Sequence, residues 1–234
     1  MKLSIIIPVY NEENTILRII KAVEEVDIGN IEKDIIIIDD CSTDNTRNIL
    51  KNLENHHKIL YHPKNKGKGA AIRTGLKYVD GDIILIQDAD LEYNPKDYPK
   101  LLEPILKGEA KVVYGSRFLN KKYKIIGKNR IIMAHHLIGN KFLSLVISLL
   151  YSSKITDMET CYKVIKREII KNIKLRANGF DIEPEITTKI LKKGYTIKEV
   201  QIEFKARDFN QGKKITWKDG VKALFCLLKW RFLD

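Results

Sequence analysis

Three carboxylates fall within five residues at Asp88-Ala89-Asp90-Leu91-Glu92, directly after the apolar run of Asp82–Gln87 (DIILIQ). In an extended or turning chain, residues i, i+2 and i+4 share a side, so this spacing predicts that Asp88, Asp90 and Glu92 converge. Ionised carboxylates brought together repel one another unless a cation joins them. Oxygen ligands of this kind suit Mg²⁺ or Mn²⁺, which complete their shells with water and substrate phosphates. Such an ion can bridge a diphosphate and stabilise the charge that develops on it as a leaving group. A solvated turn in which aspartate caps a helix accounts for the same letters. The loop lacks the central glycine and closing glutamate of an EF-hand. A phosphatase-type nucleophilic aspartate belongs after a first strand, not a fourth.

The elements that position this loop are legible from two alternating periods. Continuous apolar runs at Ser4–Val9, Asp34–Asp39, KILYH, Asp82–Gln87 and Ala110–Gly115 predict buried strands. Between them lie helical stripes, as at Ile16, Ile19, Ile20 and Val23, and a glycine-opened segment GKGAAIRTGLKYV. The pattern predicts an α/β fold: a mostly parallel central sheet with helices on both faces. Ligands in such sheets bind at the carboxyl ends of the strands. Polar residues gather at those ends: Pro8 to Glu12 after the first, Asp39-Asp40 after the second, Asp88 and Asp90 after the fourth, Arg117 after the fifth. Asp39-Asp40 follows four isoleucines, a costly choice for a core interior.

The remainder is less regular. It predicts a helix over 131–151, a strand at TCYKVIK, a helix at DIEPEITTKILKKG, a strand at YTIKEVQIEFKA and a last helix from Trp217. In that last helix, Trp217, Val221, Leu224, Phe225, Leu228 and Phe232 share one face, and Lys218, Lys222 and Lys229 lie on another. No linker or repeat interrupts the 234 residues, so a single domain over 1–234 is expected, with 1–117 as one half and 118–234 as the other.

Composition is that of a folded protein, 44% hydrophobic and 31% charged, with a net charge of +12. The charge is uneven: Ala110 to Thr156 holds nine Lys or Arg and no acidic residue. A basic surface of this kind attracts phosphates, on lipid, nucleic acid or small ligand. Aromatic residues do not interleave with the basic ones, and no nucleic-acid-binding signature is present, so no nucleic-acid partner is expected. Cys41, Cys161 and Cys226 are far apart, odd in number and read as reduced thiols of a cytoplasmic protein. No signal peptide is read at the start, and the longest apolar stretch, Phe142–Ser153, is too short to span a bilayer. His56-His57 and His135-His136 are adjacent pairs, which rarely share an ion on a helix.

SIIIPVYNEENTI, IIIIDDCSTDNT, NKGKGAAIRTGL, DADLEYNP and GSRF occur in the order and spacing of family-2 glycosyltransferases of the GT-A fold, which this chain resembles. TDMETCYKVIKRE and GFDIEPEITTKILKKGY extend the likeness to the polyprenol-phosphate sugar synthases, such as dolichol-phosphate mannose and glucose synthases. The resemblance implies a nucleotide-sugar-binding half at 1–117 and an acceptor-binding half at 118–234. It implies an inverting transfer of mannose or glucose from a UDP- or GDP-sugar to a polyprenyl or dolichyl phosphate. A glycan or other hydroxyl acceptor is the alternative.

By the same resemblance, Pro8, Tyr10 and Glu12 line the nucleotide pocket and Asp39 bonds the base. Lys68 and Arg73 approach the ribose or diphosphate. Asp88 and Ala89 bear on the donor, and Asp88, Asp90 and Glu92 hold Mg²⁺ or Mn²⁺. Asp90, Asp157 and Glu183 are the candidate catalytic carboxylates, although Pro184 after Glu183 departs from the family pattern. Arg117, Arg130, Arg207 and Lys214 are the candidate acceptor-phosphate ligands; the arginine fork suits phosphate. Helices over 131–151 and 216–232 combine apolar faces with Lys and His. They imply peripheral contact with the cytoplasmic face of a membrane.

Overall fold

The computed structural model describes residues 1–119, 130–206 and 217–233, with the side chains of 130–138, 217–219 and 221 excepted. Among these residues seven strands form one sheet: β1 (Lys2–Val9), β2 (Glu32–Asp39), β3 (Lys58–Tyr61), β4 (Ile83–Ile86), β5 (Val112–Ser116), β6 (Lys163–Lys166) and β7 (Lys198–Gln201). Their order is β3-β2-β1-β4-β6-β5-β7. The pairings β1–β2, β1–β4, β2–β3 and β5–β7 are parallel, while β6 runs antiparallel to both β4 and β5. Six strands therefore point one way, and their carboxyl ends share a rim, as the alternation of periods predicts. β6 is inserted against the grain, which a run as short as KVIK does not reveal.

The isoleucine-rich interiors of β1, β2 and β4 are buried on both faces. The described α-helices are α1 (Ile16–Glu25), α2 (Thr46–Lys51), α3 (Lys68–Gly75), α4 (Tyr98–Leu106), α5 (Arg130–Tyr151), α6 (Arg167–Lys171), α7 (Ile182–Lys192) and α8 (Trp217–Phe232). In α1, Ile16, Ile19, Ile20 and Val23 are the buried stripe expected from their spacing. α5 and α8, with Ile155 and Met158 of the segment after α5, build a second, smaller core that includes Leu143, Ile147, Ala223 and Leu227.

The last helix turns its faces differently from the simplest reading of its period. Its buried residues are Ala223, Cys226, Leu227 and Trp230, while Phe225, Leu228 and Phe232 are exposed at 68%, 42% and 75%. Of the four described side chains of the expected stripe, three therefore face outward and Leu224 is half-buried.

Candidate active site

Three loops on the shared rim turn through left-handed residues that are not glycine: Asn11 (φ 54°) after β1, Cys41 (φ 64°) after β2 and Leu91 (φ 62°) after β4. Such conformations are costly for residues with a Cβ and persist where surrounding contacts impose them. The first two loops clamp each other. The Asn11 amide donates to Ser42 Oγ at 3.0 Å, and the Thr43 amide donates to Asn11 Oδ1 at 2.8 Å. The third is tied by the Glu92 amide to Asp90 Oδ1 at 3.1 Å, and by the Lys205 amide to the Glu92 carbonyl at 2.9 Å.

The turn at Leu91 corrects the expectation that three carboxylates converge. It breaks the alternation on which the i, i+2, i+4 argument rests. Among the described residues no group of three His, Cys, Asp or Glu side chains stands ready to hold a metal. Asp88 and Asp90 remain half-buried at the end of β4. Two carboxylates are a fitting donor set for Mg²⁺ or Mn²⁺, whose remaining positions are filled by phosphate oxygens and water.

The peptide of Asp88 is anchored from below. Gln87 is buried, its Oε1 accepts from the hydroxyls of Tyr98 and Tyr162, each at 2.8 Å, and its Nε2 donates to the Asp88 carbonyl at 2.9 Å. The Asp88 side chain meets Lys68, whose Nζ lies 2.8 Å from Oδ1 and 3.0 Å from Oδ2. The same ammonium lies 3.0 Å from Glu183 Oε1. Glu183 Oε2 in turn pairs with Lys163, a wholly buried lysine that also donates to the carbonyls of Met158 and Thr160. Burial works against the Lys68 ammonium, but the charges of Asp88 and Glu183 outweigh it and hold its pKa well above the usual lysine range. The chain of alternating charges Lys163–Glu183–Lys68–Asp88 links the first turn of α7 to the end of β4.

Lys68 opens α3, and the placement of that end is fixed by glycine. Gly67 (φ 93°) and Gly69 lie against the backbone of 177–179; a Cβ on Gly69 would meet Ala177 O at 2.6 Å and Gly179 O at 2.9 Å. That loop is pinned by Glu185, which accepts from the amides of Arg176 and Ala177. Asp40 shapes the approach, accepting from the amides of Lys66 and Gly67 and pairing with His62 Nδ1 at 2.6 Å. Gly69→Ala is expected to destabilise the fold by about 1–3 kcal/mol, because the obstructing atoms are backbone; thermal unfolding measures it. An unchanged Tm would refute the close approach.

The remaining expected donor residues gather on the same rim. Pro8, next to last in β1, lies beside Ile38, and Tyr10, just past the strand, is half-buried. Glu12 is buried; its Oε2 accepts from Thr15 Oγ1 at 2.7 Å and its carbonyl from the Ile16 amide, so it also starts α1. Asp39 is fully buried, its carboxylate accepting from the Ser42 amide at 3.1 Å and from Arg47 Nε at 2.9 Å. Ala89 is buried between the two aspartates. Arg73 donates to Asn178 Oδ1, and its Nε is buried with no hydrogen bond among the described residues.

On the other side of β4, Arg117 does not stand free for a ligand. It forms a two-pronged pair with the wholly buried Asp157, Nε to Oδ2 at 2.7 Å and Nη2 to Oδ1 at 2.8 Å, and its amide also donates to Oδ2. Burial opposes the guanidinium charge, and Asp157 overrides that cost, raising the pKa further. Phe118 and Phe204 flank it at 5.1 and 5.0 Å. Glu199 holds the Asp157 segment by accepting from the amides of Thr156 and Asp157. Arg207 and Lys214 lie outside the described residues, as does the side chain of Arg130 at the start of α5.

Sequence reasoning passed over Lys163, Gln87, Glu199 and Glu159. Glu159 is half-buried, and burial pushes its carboxyl pKa up, partly opposed by Arg117. Its signal was its place two residues after Asp157 in TDMET, next to a residue already singled out. Lys163 carried no signal, because a lone lysine in a strand reads as solvated.

Residues 4–174 match the family described as glycosyl transferase family 2. The chain belongs to that family. Among its relatives within the family, a dolichol-phosphate mannosyltransferase of Pyrococcus furiosus is 28% identical over 98% of this chain, which spans 64% of that protein's length. A UDP-N-acetylglucosamine–dolichyl-phosphate N-acetylglucosaminyltransferase of Methanococcus voltae is 30% identical over 96% of this chain and 94% of its own. The fold is of GT-A type: it superimposes on glucosyl-3-phosphoglycerate synthase from Mycobacterium tuberculosis, solved with Mn²⁺ and UDP-glucose. That likeness has a TM-score of 0.72 at 20% identity and covers 98% of this chain and 78% of that one.

Proposed function

We infer that this family-2 glycosyltransferase moves a hexose from a nucleoside-diphosphate sugar to a polyprenyl phosphate, with inversion at the anomeric carbon. The observation that carries the reading is the junction at Lys68, where Asp88 of the 1–117 half meets Glu183 of the 118–234 half. A carboxylate of the expected donor half and one of the expected acceptor half thus meet at one ammonium, which supports this reading. The names of the two dolichyl-phosphate relatives support the acceptor, and the Mn²⁺ and UDP-glucose of the structural neighbour support a metal-dependent donor site.

Asp88 and Asp90 would hold Mg²⁺ or Mn²⁺, which when bound supplies charge neutralisation for the departing diphosphate. Pro8 and Asp39, at the ends of β1 and β2, and Tyr10, in the clamped loop after β1, would bear on the nucleotide. A carboxylate has about four acceptor sites, so Asp39 can serve Arg47 and a base together. Lys68 and Arg73 bear on the diphosphate. A phosphate oxygen of the acceptor attacks the anomeric carbon in line. The bond to the diphosphate oxygen breaks, and its electron pair leaves with the nucleoside diphosphate. A phosphate monoester with a second pKa of about 6 is already ionised, so no residue need remove a proton. Arg130, Arg207 and Lys214 then serve to offset the charge of the incoming anion, while Arg117, already neutralised by Asp157, holds the segment beside them.

A second reading, a hydroxyl acceptor, is favoured by Glu159, whose half-buried carboxyl with a raised pKa has the character of a general base. One transfer assay separates the two. UDP- and GDP-hexoses are paired with a short polyprenyl phosphate and with an oligosaccharide, with and without Mn²⁺. Metal-dependent glycosylation of the lipid phosphate, retained in Glu159→Gln, is the expected result. Transfer to the sugar hydroxyl alone, lost in Glu159→Gln, would replace the lipid reading.

Contact with a membrane follows from the same acceptor. Among the described residues no helix is long and apolar enough to cross a bilayer. Phe142, Leu145 and Leu149 on α5, and Phe225, Leu228 and Phe232 on α8, are exposed, with Lys141, Lys222, Lys229 and Arg231 exposed on the same two helices. Apolar stripes with basic neighbours suit the interface of an anionic membrane. The protein is expected to sediment with acidic liposomes at low salt. Equal recovery in the supernatant with and without liposomes would count against it.

A further inference from the structure

We propose that Lys68 is a stand-in cation, holding the Asp88 carboxylate until a divalent ion takes it and then turning to the donor diphosphate. Metal and nucleotide binding are thereby coupled through one side chain. The inference rests on the metal-dependent donor reading above and extends it to the order in which charges change partners.

Four observations carry it. Both Asp88 oxygens lie within 3.0 Å of Lys68 Nζ, so an ion drawn to that carboxylate meets the like charge of the ammonium at close range and has to push it aside. The backbone of Lys68 is fixed by the approach of Gly67 and Gly69 to 177–179, which leaves the flexible four-carbon stem to move. The contact with Glu183 Oε1 is an ion pair with no aligned hydrogen bond, so charge alone holds it. Lys163 pairs with the other Glu183 oxygen, so departure of Lys68 does not strand Glu183 as a lone buried charge. Lys68 is moreover a positive charge at a helix N-terminus, the unfavourable end for a cation. A diphosphate arriving there is favoured by the helix and by the released ammonium alike.

A divalent ion alone must therefore displace the ammonium without offering it a new partner, whereas ion and diphosphate together supply one. Coupling of this kind is reciprocal. The test is a titration of the full chain with Mn²⁺, followed by electron paramagnetic resonance of the free ion, alone and with UDP or GDP. Wild type is expected to bind Mn²⁺ roughly tenfold or more tightly when nucleoside diphosphate is present. In Lys68→Met, binding of Mn²⁺ alone should tighten by about tenfold, and the coupling should shrink towards none. Lys68→Gln, which keeps a donor near Asp88, carries the same test should the methionine variant not fold. Lys68→Arg should retain coupling.

The decisive readout is Mn²⁺ alone, because loss of a diphosphate ligand also lowers the coupling but leaves the affinity for the free ion unchanged. Unchanged or weaker binding of Mn²⁺ alone in both neutral variants, beside normal coupling in wild type, overturns the stand-in role and leaves the metal reading intact. Failure of wild type to bind Mn²⁺ with any nucleotide overturns both.

Discussion

Asp88→Asn is expected to lower hexose transfer by about two to three orders of magnitude while leaving the unfolding transition close to that of wild type. The amide keeps the shape of the side chain and removes the charge. Gln87, Tyr98 and Tyr162 still anchor the peptide of residue 88, so the loop keeps its path. Lys68 still pairs with Glu183. What is lost is an oxygen ligand for the ion and, with it, neutralisation of the leaving diphosphate, which matters most as the bond breaks. The loss should appear in kcat/KM for the sugar nucleotide, with release of nucleoside diphosphate as the readout. A decrease of less than about tenfold would remove Asp88 from the metal site, since one well-placed electrostatic contact is worth more than that.

Asp157→Ala should act on stability first. It leaves the Arg117 guanidinium buried beside Phe118 and Phe204 without its carboxylate, and breaking such a buried pair costs about 3–5 kcal/mol. For a chain of this size that corresponds to a fall in Tm of ~10 °C. Because replacing both partners of a buried pair with apolar groups is often neutral, Arg117→Met/Asp157→Ala should recover much of the loss. If Asp157 were instead a free catalytic base, the single variant would lose activity with its Tm unchanged, and the double variant would rescue nothing. The geometry distinguishes these roles: both Asp157 oxygens are committed to Arg117 at 2.7 and 2.8 Å.

The sheet and its polar strand-end rim were legible in the sequence because their signals are local. Runs of isoleucine ended by Asp39-Asp40 or Asp88-Ala89-Asp90 declare a buried strand and its functional end within about ten residues. Residues that meet only after folding were not legible. Arg117 and Asp157 are forty positions apart in sequence, and neither announces the other, so an arginine in a basic stretch read as a free phosphate ligand. Lys163 looked like surface and is wholly buried. The triple convergence failed on one dihedral angle: spacing presumes a regular chain, and Leu91 turns left-handed. In α8 the period marks an apolar stripe but not which neighbouring stripe the fold will cover.

Among the described strands β6 alone opposes the others, and it comes from Lys163–Lys166 yet lies between β4 and β5. During synthesis, β3, β2, β1 and β4 can assemble as soon as they leave the ribosome. β5 is made next but has no place to dock until residue 166 has emerged about fifty residues later. The nascent chain must therefore wait with an open sheet edge at β4 and an apolar β5 unsheltered. This interval is when the protein is most exposed to misassociation and most in need of a chaperone.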